Sequence, residues 1–384
     1  MNTHAFLARR LARVALPVAL AALSAGFFPL LAQEPEGIAV TDLLRKKESE
    51  NLSAIDKILS RVRLSGMFQA GYSAGFGPAS PVAVFPGEGA NDFAIHRLLL
   101  IVNAEVTDRL TVTYNGNFAG GFTNLEYYAT YRFAPEFQVL LGQKKTPFLM
   151  DNQLSPASSE LIATGSFLTN YFAAGDASNP LTGAWAGRDL GLEVRGDLFG
   201  NLLTYRLALY NGQGINTRDK DRNKALSGSL SLRPLPGLEV NGSFYTGKAT
   251  ANGTALFEAG DKVVSPGELY RRDRWSAGVS YQKNRFGIRS EYMGGYDDLV
   301  RSDGVYVTSW GRLFRDVDLI LSYAYGDFNR TGANPLTVHN AAAGLQWWFL
   351  PKCRLRLEYN ALIPTGSGTP HPNHSLQTQL QFAF

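Results

Sequence analysis

From Arg61 to Phe384 the chain is written in short segments whose apolar residues fall at every second position, joined by connections that alternate between tight and long. Period two is the mark of a strand with one face in an apolar medium and the other in water, whereas a helix needs spacings of three and four. The last segment shows it plainly: Leu376, Leu380, Phe382 and Phe384 share one parity, and Gln377, Gln379, Gln381 and Ala383 take the other. A single such strand also fits a sandwich. The connections decide between the two. Sixteen strands are expected, the first near 61–73 and the last near 375–384, and every even connection is tight: "TDR" at 107, "AP" at 134, "FGN" at 199, "PLPG" at 234, "KN" at 283, "RD" at 315 and "PK" at 351. The odd connections are long apart from "GGFT" at 120. A sandwich has no reason to gather its short turns at one end, while an outer-membrane barrel has short periplasmic turns, long external loops and an even strand count. The expected fold is an all-β, sixteen-stranded antiparallel transmembrane barrel over 61–384.

The rest of the chain agrees. Residues 1–32 run from Arg9, Arg10 and Arg13 through "VALPVALAALSAGFF" to "PLLAQ", the order of a secretory signal peptide. Beyond it the longest apolar run is "LLLIV" at 98–102, far below the roughly 18 residues of a spanning helix. The chain holds 37 basic and 33 acidic residues; the signal takes three bases and no acid, which leaves a net charge of +1 and no basic tail for nucleic acid. The single Cys353 excludes an internal disulfide. Between signal and barrel, residues 33–60 carry Thr41 as an N-cap and Leu52, Ile55, Leu59 and Val62 at helical spacing, so a short periplasmic helix is expected.

Within the strands, Leu355, Leu357 and Tyr359 oppose Arg354, Arg356 and Glu358 in parity, and Leu203, Tyr205, Leu207 and Leu209 oppose Thr204, Arg206 and Ala208. The apolar set is expected to face lipid and the charged set a wet lumen. Phe133, Phe137, Phe199, Phe286, Phe314, Phe349 and Phe384 sit beside the tight turns, where a periplasmic aromatic girdle belongs.

One connection stands apart. Residues 146–188 are long, fairly apolar and rich in small residues, which suits a loop folded into the barrel as a constriction. Phe148 to Gly187 contains Asp151, Glu160 and Asp176 but no Lys, Arg or His; Lys144 and Arg188 frame it. Here "LGQKKTPF" at 141–148, "GRDLGLEVRG" at 187–196 and "YRLALYNGQGIN" at 205–216 resemble the phosphate-selective porin O and P family of Gram-negative outer membranes. The resemblance implies a homotrimer in the outer membrane, in contact with its lipid and lipopolysaccharide. It also implies an inward third external loop and passage of anions along basic lumen residues.

By parity, Arg63, Arg97, Arg132, Lys144, Arg195, Arg206, Arg233, Arg289, Arg312, Arg354 and Arg356 point inward, against nine acids: Glu105, Glu126, Asp189, Glu193, Asp197, Glu239, Glu291, Asp318 and Glu358. Near balance predicts mild selectivity, since a strong filter needs rings of one sign. The pore-lining candidates are Lys144 and Arg188, favoured because they sit where the wall meets the loop, with Arg63, Arg97, Arg132, Arg195, Arg206, Arg289 and Arg312, each of which equally suits a cross-strand ladder that holds the wall. No catalytic Ser–His arrangement, phosphate-binding Gly loop, calcium loop or metal spacing occurs, so neither an enzyme nor a cofactor is expected. The function expected is passive diffusion of small hydrophilic solutes with mild anion preference. A sugar-type channel is the alternative suggested by Tyr128, Tyr210, Tyr245 and Trp310 in the lumen parity and Phe167, Tyr171, Phe172 and Trp185 in the loop. A structural or adhesive barrel with a plugged lumen is the third.

Overall fold

The computed structural model describes residues 38–39, 60–76, 91–163, 165–174, 187–219, 221–251, 255–257, 262–265, 267–331, 335–366 and 372–384. The signal segment lies outside them, and of the expected 33–60 helix only residues 38, 39 and 60 are described, with Ile38 and Ala39 paired antiparallel to Leu64 and Arg63.

Among the described residues, sixteen strands form one closed antiparallel sheet: β1 Val62–Phe76, β2 Asp92–Glu105, β3 Leu110–Asn117, β4 Thr123–Ala134, β5 Phe137–Lys145, β6 Arg188–Leu198, β7 Leu203–Tyr210, β8 Ala225–Leu235, β9 Leu238–Thr250, β10 Leu269–Lys283, β11 Phe286–Asp297, β12 Val300–Phe314, β13 Val317–Phe328, β14 Leu336–Leu350, β15 Cys353–Thr365 and β16 Asn373–Ala383. Each strand pairs with its sequence neighbour, and β16 returns to pair with β1 from His374↔Phe76 to Ala383↔Met67. Closure leaves no strand edge unsatisfied, the condition for a sheet in hydrocarbon. A sixteen-stranded closed barrel, apolar outside and charged within, is the architecture of the Gram-negative outer membrane, and that is where this protein resides.

The alternation follows the expected parity. Along β15, Arg354, Arg356, Glu358 and Asn360 are buried inside the barrel while Leu355, Leu357 and Tyr359 are exposed on its outer wall. The tight turns place Phe199, Asn284, Arg315 and Lys352 at positive φ. At Gly237 (φ +82°) a Cβ would lie 2.0 Å from the Gln282 carbonyl oxygen, so only glycine fits. Beside these turns the Phe133 and Phe137 rings meet at a tilt with centroids 5.2 Å apart, and Phe349 meets Phe382 at 6.0 Å.

Strand ends at the tight turns lie within two residues of the sequence expectation. On the external side, β10 and β12 begin at Leu269 and Val300, five and four residues before it. There Arg272, Arg274, Asp273 and Asp303 break the apolar alternation, yet pair across the sheet as strand residues. A hairpin of Ala255–Phe257 with Lys262–Val264 in the following loop was also not expected. The wall is uneven: β3, β5 and β7 hold eight or nine residues, whereas β10, β12 and β14 hold fifteen.

Phe384 fastens the seam. Its amide donates to the Gly66 carbonyl (3.0 Å), its carbonyl accepts from the Gly66 amide (3.1 Å), and its ring lies where a Gly66 Cβ would sit. At about 1 kcal/mol per net hydrogen bond, deleting Phe384 is expected to destabilise the barrel by about 2 kcal/mol. Urea unfolding in detergent micelles, followed by the shift of the folded band on unheated gels, measures this; an unchanged midpoint would show that the seam does not depend on the terminal residue.

Candidate functional site

The loop after β5 enters the barrel and crosses it. Thr146 pins its base, its amide and hydroxyl both donating to the Gly187 carbonyl (2.6 and 3.0 Å). From there the chain reaches β9, where the Leu149 amide donates to Ser243 Oγ (3.0 Å), and β11, where the Met150 and Asp151 amides donate to the Glu291 carboxylate (2.8 and 3.3 Å). It then turns back past β1, where Gln69 Nε2 donates to the Pro156 carbonyl (3.3 Å), to β15. There Arg354 donates to the carbonyls of Ala157 and Ser159 (3.0 and 2.8 Å), and Arg356 to those of Ser159 and Leu161 (3.1 and 2.9 Å). Glu358 closes the run by accepting the Ile162 amide (2.9 Å). A loop inside a barrel cannot use ladder bonds, so the wall's charged side chains take up its amides and carbonyls instead.

The described stretch of the loop that follows ends in α1, Phe167–Ala174. Asp151 Oδ2 accepts from the Ser166 amide and the Thr169 hydroxyl (2.6 and 2.9 Å), while Arg274 donates to the carbonyls of Tyr171 and Phe172 and pairs with Asp297 at 3.0 Å. An acid thus holds the start of the helix and a base its end, the arrangement the helix dipole favours. Phe148, Phe167, Leu168, Tyr171 and Phe172 pack on Met293, Tyr306, Phe328, Val338 and Leu362 of the wall, so the molecule's main apolar core lies within the barrel.

The nine candidate bases separate by partner. Arg188 is buried against Glu126 (3.0 Å), Arg206 against Glu193 (2.9 Å) and Arg289 between Glu160 (2.6 Å) and Asp151 (3.4 Å). Arg312 pairs with Asp318 and Asp316, and Arg63 lies 3.6 Å from Glu105. Arg97 donates to Gln69 Oε1 (2.9 Å). It is brought inward by a bulge at His96, since Gln69 faces Arg97 while Ala70 already faces Ile95.

Three bases remain without a salt bridge among the described residues: Arg132, Lys144 and Arg195. They cluster. The cross-strand register runs Arg132↔Gln138, Gln138↔Arg195 and Arg195↔Arg206, one row over β4 to β7, with Lys144 5.3 Å over the Tyr128 ring and within electrostatic reach of Arg195 and Arg206. Neighbouring strands lie about 4.8 Å apart, and like charges directly opposite one another oppose folding. Glu193, bound to Arg206 at 2.9 Å, offsets part of the cost of setting Arg195 beside Arg206, and an anion in the lumen would offset more.

The loop-holding roles of Arg274, Arg354, Arg356, Glu291 and Glu358 were not legible as such in the sequence. Parity marks four of them as inward, but the loop lies over a hundred residues away along the chain.

No protein-family model matches the chain, and no curated protein matches it. Solved structures do. An anion-selective porin from Comamonas acidovorans superimposes with a TM-score of 0.60 at 14% identity over 84% of this chain and 99% of its own. OprB of Pseudomonas putida gives 0.63 at 8% over 85% and 96%, and the trimer form of OmpT, an outer membrane protein of Vibrio cholerae, gives 0.58 at 10% over 84% and 99%. The chain has the fold of outer-membrane porins.

Replacing Arg289 by Met strips two buried carboxylates of their partner, which costs about 3–5 kcal/mol of buried pairing. Since Asp151 and Glu160 both sit on the loop, the loop rather than the barrel is expected to yield. External protease should then cut within 148–163 in the folded, membrane-inserted variant and leave the wild type intact; equal resistance would show that the pair does not hold the loop.

Proposed function

We propose that the protein is an outer-membrane porin for passive diffusion of small hydrophilic solutes, with a preference for anions. The observation that carries the preference is the row Arg132–Arg195–Arg206 with Lys144, four bases on one arc of wall of which only Arg206 is ion-paired, to Glu193, opposite a wall whose charges are bound up in pairs or in the loop. Near-equal totals of inward bases and acids hide the placement: five of the nine acids are ion-paired, Glu291 and Glu358 accept loop amides and Asp189 and Asp197 accept local amide and hydroxyl donors, while Arg132, Lys144 and Arg195 share one arc. Phosphate is one anion of suitable charge, as the resemblance to phosphate-selective porins suggests; the loop itself supplies no base for it.

Most of the rings that suggested a sugar channel are taken up elsewhere. Tyr245, Phe167, Tyr171 and Phe172 are buried between loop and wall, Trp310 lies under Arg289, Tyr210 is buried with its hydroxyl 3.4 Å from Glu193, and Trp185 lies outside the described residues; Tyr128 alone stands at the basic row, under Lys144. A channel also accounts for the charged interior better than an enzyme does, since the buried carboxylates described here are engaged by the loop or by arginine.

A homotrimer fits the uneven wall. Eight residues tilted by about 45° rise only about 19 Å, short of the roughly 25 Å apolar band, so β3 and β7 make the β3–β7 face the low side of the wall, which suits a neighbouring copy. Exposed Phe118 and Phe122, 5.1 Å apart on the short β3–β4 turn, add apolar surface for a neighbouring copy.

Planar-bilayer recording under a potassium chloride gradient tests the proposal. The wild type should show open channels with a reversal potential on the anion side, and the double variant Lys144→Gln/Arg195→Gln should lower the chloride-to-potassium permeability ratio several-fold with the channel still open. A cation-side reversal potential in the wild type, or an unchanged ratio in the variant, would overturn the anion preference.

A further inference from the structure

The outer wall carries a depression that the pore does not use. It is a shallow trough of about 470 Å³ at mid-height of β12 to β15. Ala341 and Ala343 form its floor, Val307 and Leu321 one side, and the rings of Tyr323 and Tyr359 stand at its two flanks. All six belong to the outward parity. The trough therefore opens into hydrocarbon, and what fills it must be apolar.

The wall above it, toward the external loops, is polar in an ordered way. Tyr323 Oη and Tyr359 Oη are each 2.8 Å from a histidine Nδ1, of His339 and His374 respectively, which leaves each ring's Nε2 on the far side of that contact. Two outward residue pairs above Val307↔Tyr323, Asp303 faces Asp327. Arg301 holds Asp303 at 2.7 Å, but Arg330 touches Asp303 and Asp327 only at 3.8 Å and is 59% exposed. Four residues along β12 separate Val307 from Asp303, about 13 Å of strand.

We propose that this face binds one phosphate-bearing anionic lipid of the external leaflet, with an acyl chain in the trough and the phosphate at Arg330 and the His339 imidazole. Length and chemistry match: an apolar slot one strand wide, then donors at the height where a lipid changes from chain to headgroup. Arg330 keeps donors free for a bidentate phosphate contact because its carboxylate partners stand too far off to occupy them. A second copy of the chain is the competing occupant, and the geometry disfavours it. The trough centres on β13 and β14, half-way round a sixteen-stranded barrel from β5, the middle of the low wall that needs a neighbour.

Spin-labelled lipids test this on the full-length protein in its native oligomeric state, reconstituted in phosphatidylcholine. The motionally restricted fraction is compared for labelled phosphatidylglycerol and labelled phosphatidylcholine. The wild type should favour phosphatidylglycerol several-fold. Arg330→Gln/His339→Gln should bring the two lipids level without changing the number of restricted chains, and Ala343→Phe should remove about one restricted chain per protomer with conductance unchanged. No preference for phosphatidylglycerol in the wild type, or an Ala343→Phe variant that keeps its restricted chains, would overturn the assignment. Dissociation of the oligomer by Ala343→Phe would equally overturn it, and would make the trough an interface between copies. None of these outcomes bears on ion selectivity, so the lipid site and the anion preference fail or stand separately.

Discussion

A backbone segment carried into a barrel must find partners for its amides and carbonyls where no strand is free to pair with it. Much of the interior follows from that constraint. Glu291 and Glu358 accept amides from the descending and returning limbs of the loop, Arg354 and Arg356 donate to its carbonyls, and Arg289 neutralises the two acids the loop itself carries. Buried charges of this kind are costly unless fully engaged, and here they are engaged by peptide groups as much as by opposite charges. The apolar half of the loop then packs as a core against β11 to β15, which fixes the side of the lumen that is filled.

Once that side is filled, the chemistry of the remaining side becomes the chemistry of the pore. Lys144, Arg132 and Arg195 hold none of the loop's described backbone groups, and Arg195 is set beside Arg206 by the register. A wall built only for stability would set an acid directly opposite Arg206; here Arg195 takes that place and Glu193, two residues along the same strand, supplies the ion pair. Holding the loop and lining the path are thus divided between two arcs of one barrel, although both use arginine on the same parity.

This division explains what could and could not be read in the sequence. The sixteen strands, the inward loop and the inward parity were legible because period two, turn chemistry and connection length are local signals. Arg188 was grouped with Lys144 by its place where the wall meets the loop, and Arg289 with Lys144 and Arg195 by parity; neither signal reports what a side chain meets. Their partners, Glu126 for the one and Asp151 and Glu160 for the other, lie 62 or more positions away in the chain for Arg188 and 129 or more for Arg289. The external ends of β10 and β12 were shortened for a related reason: Arg272, Asp273 and Asp303 look like loop residues until their partners on neighbouring strands are in place. The lower rim needed no such information. Phe384 and its fellow rings mark it by position alone, and the seam to Gly66 places the last residue of the chain at the edge of the pore.

The central claim is that the lumen is divided into a loop-bearing arc and an anion-lining arc. Anomalous diffraction from crystals of the protein soaked in bromide tests it most directly, because it reports where anions rest without reference to conductance. Bromide peaks are predicted within contact distance of Lys144 and Arg195, with none at Arg289, Arg354 or Arg356. Peaks at those loop-holding arginines, or none at the basic row, would contradict the account.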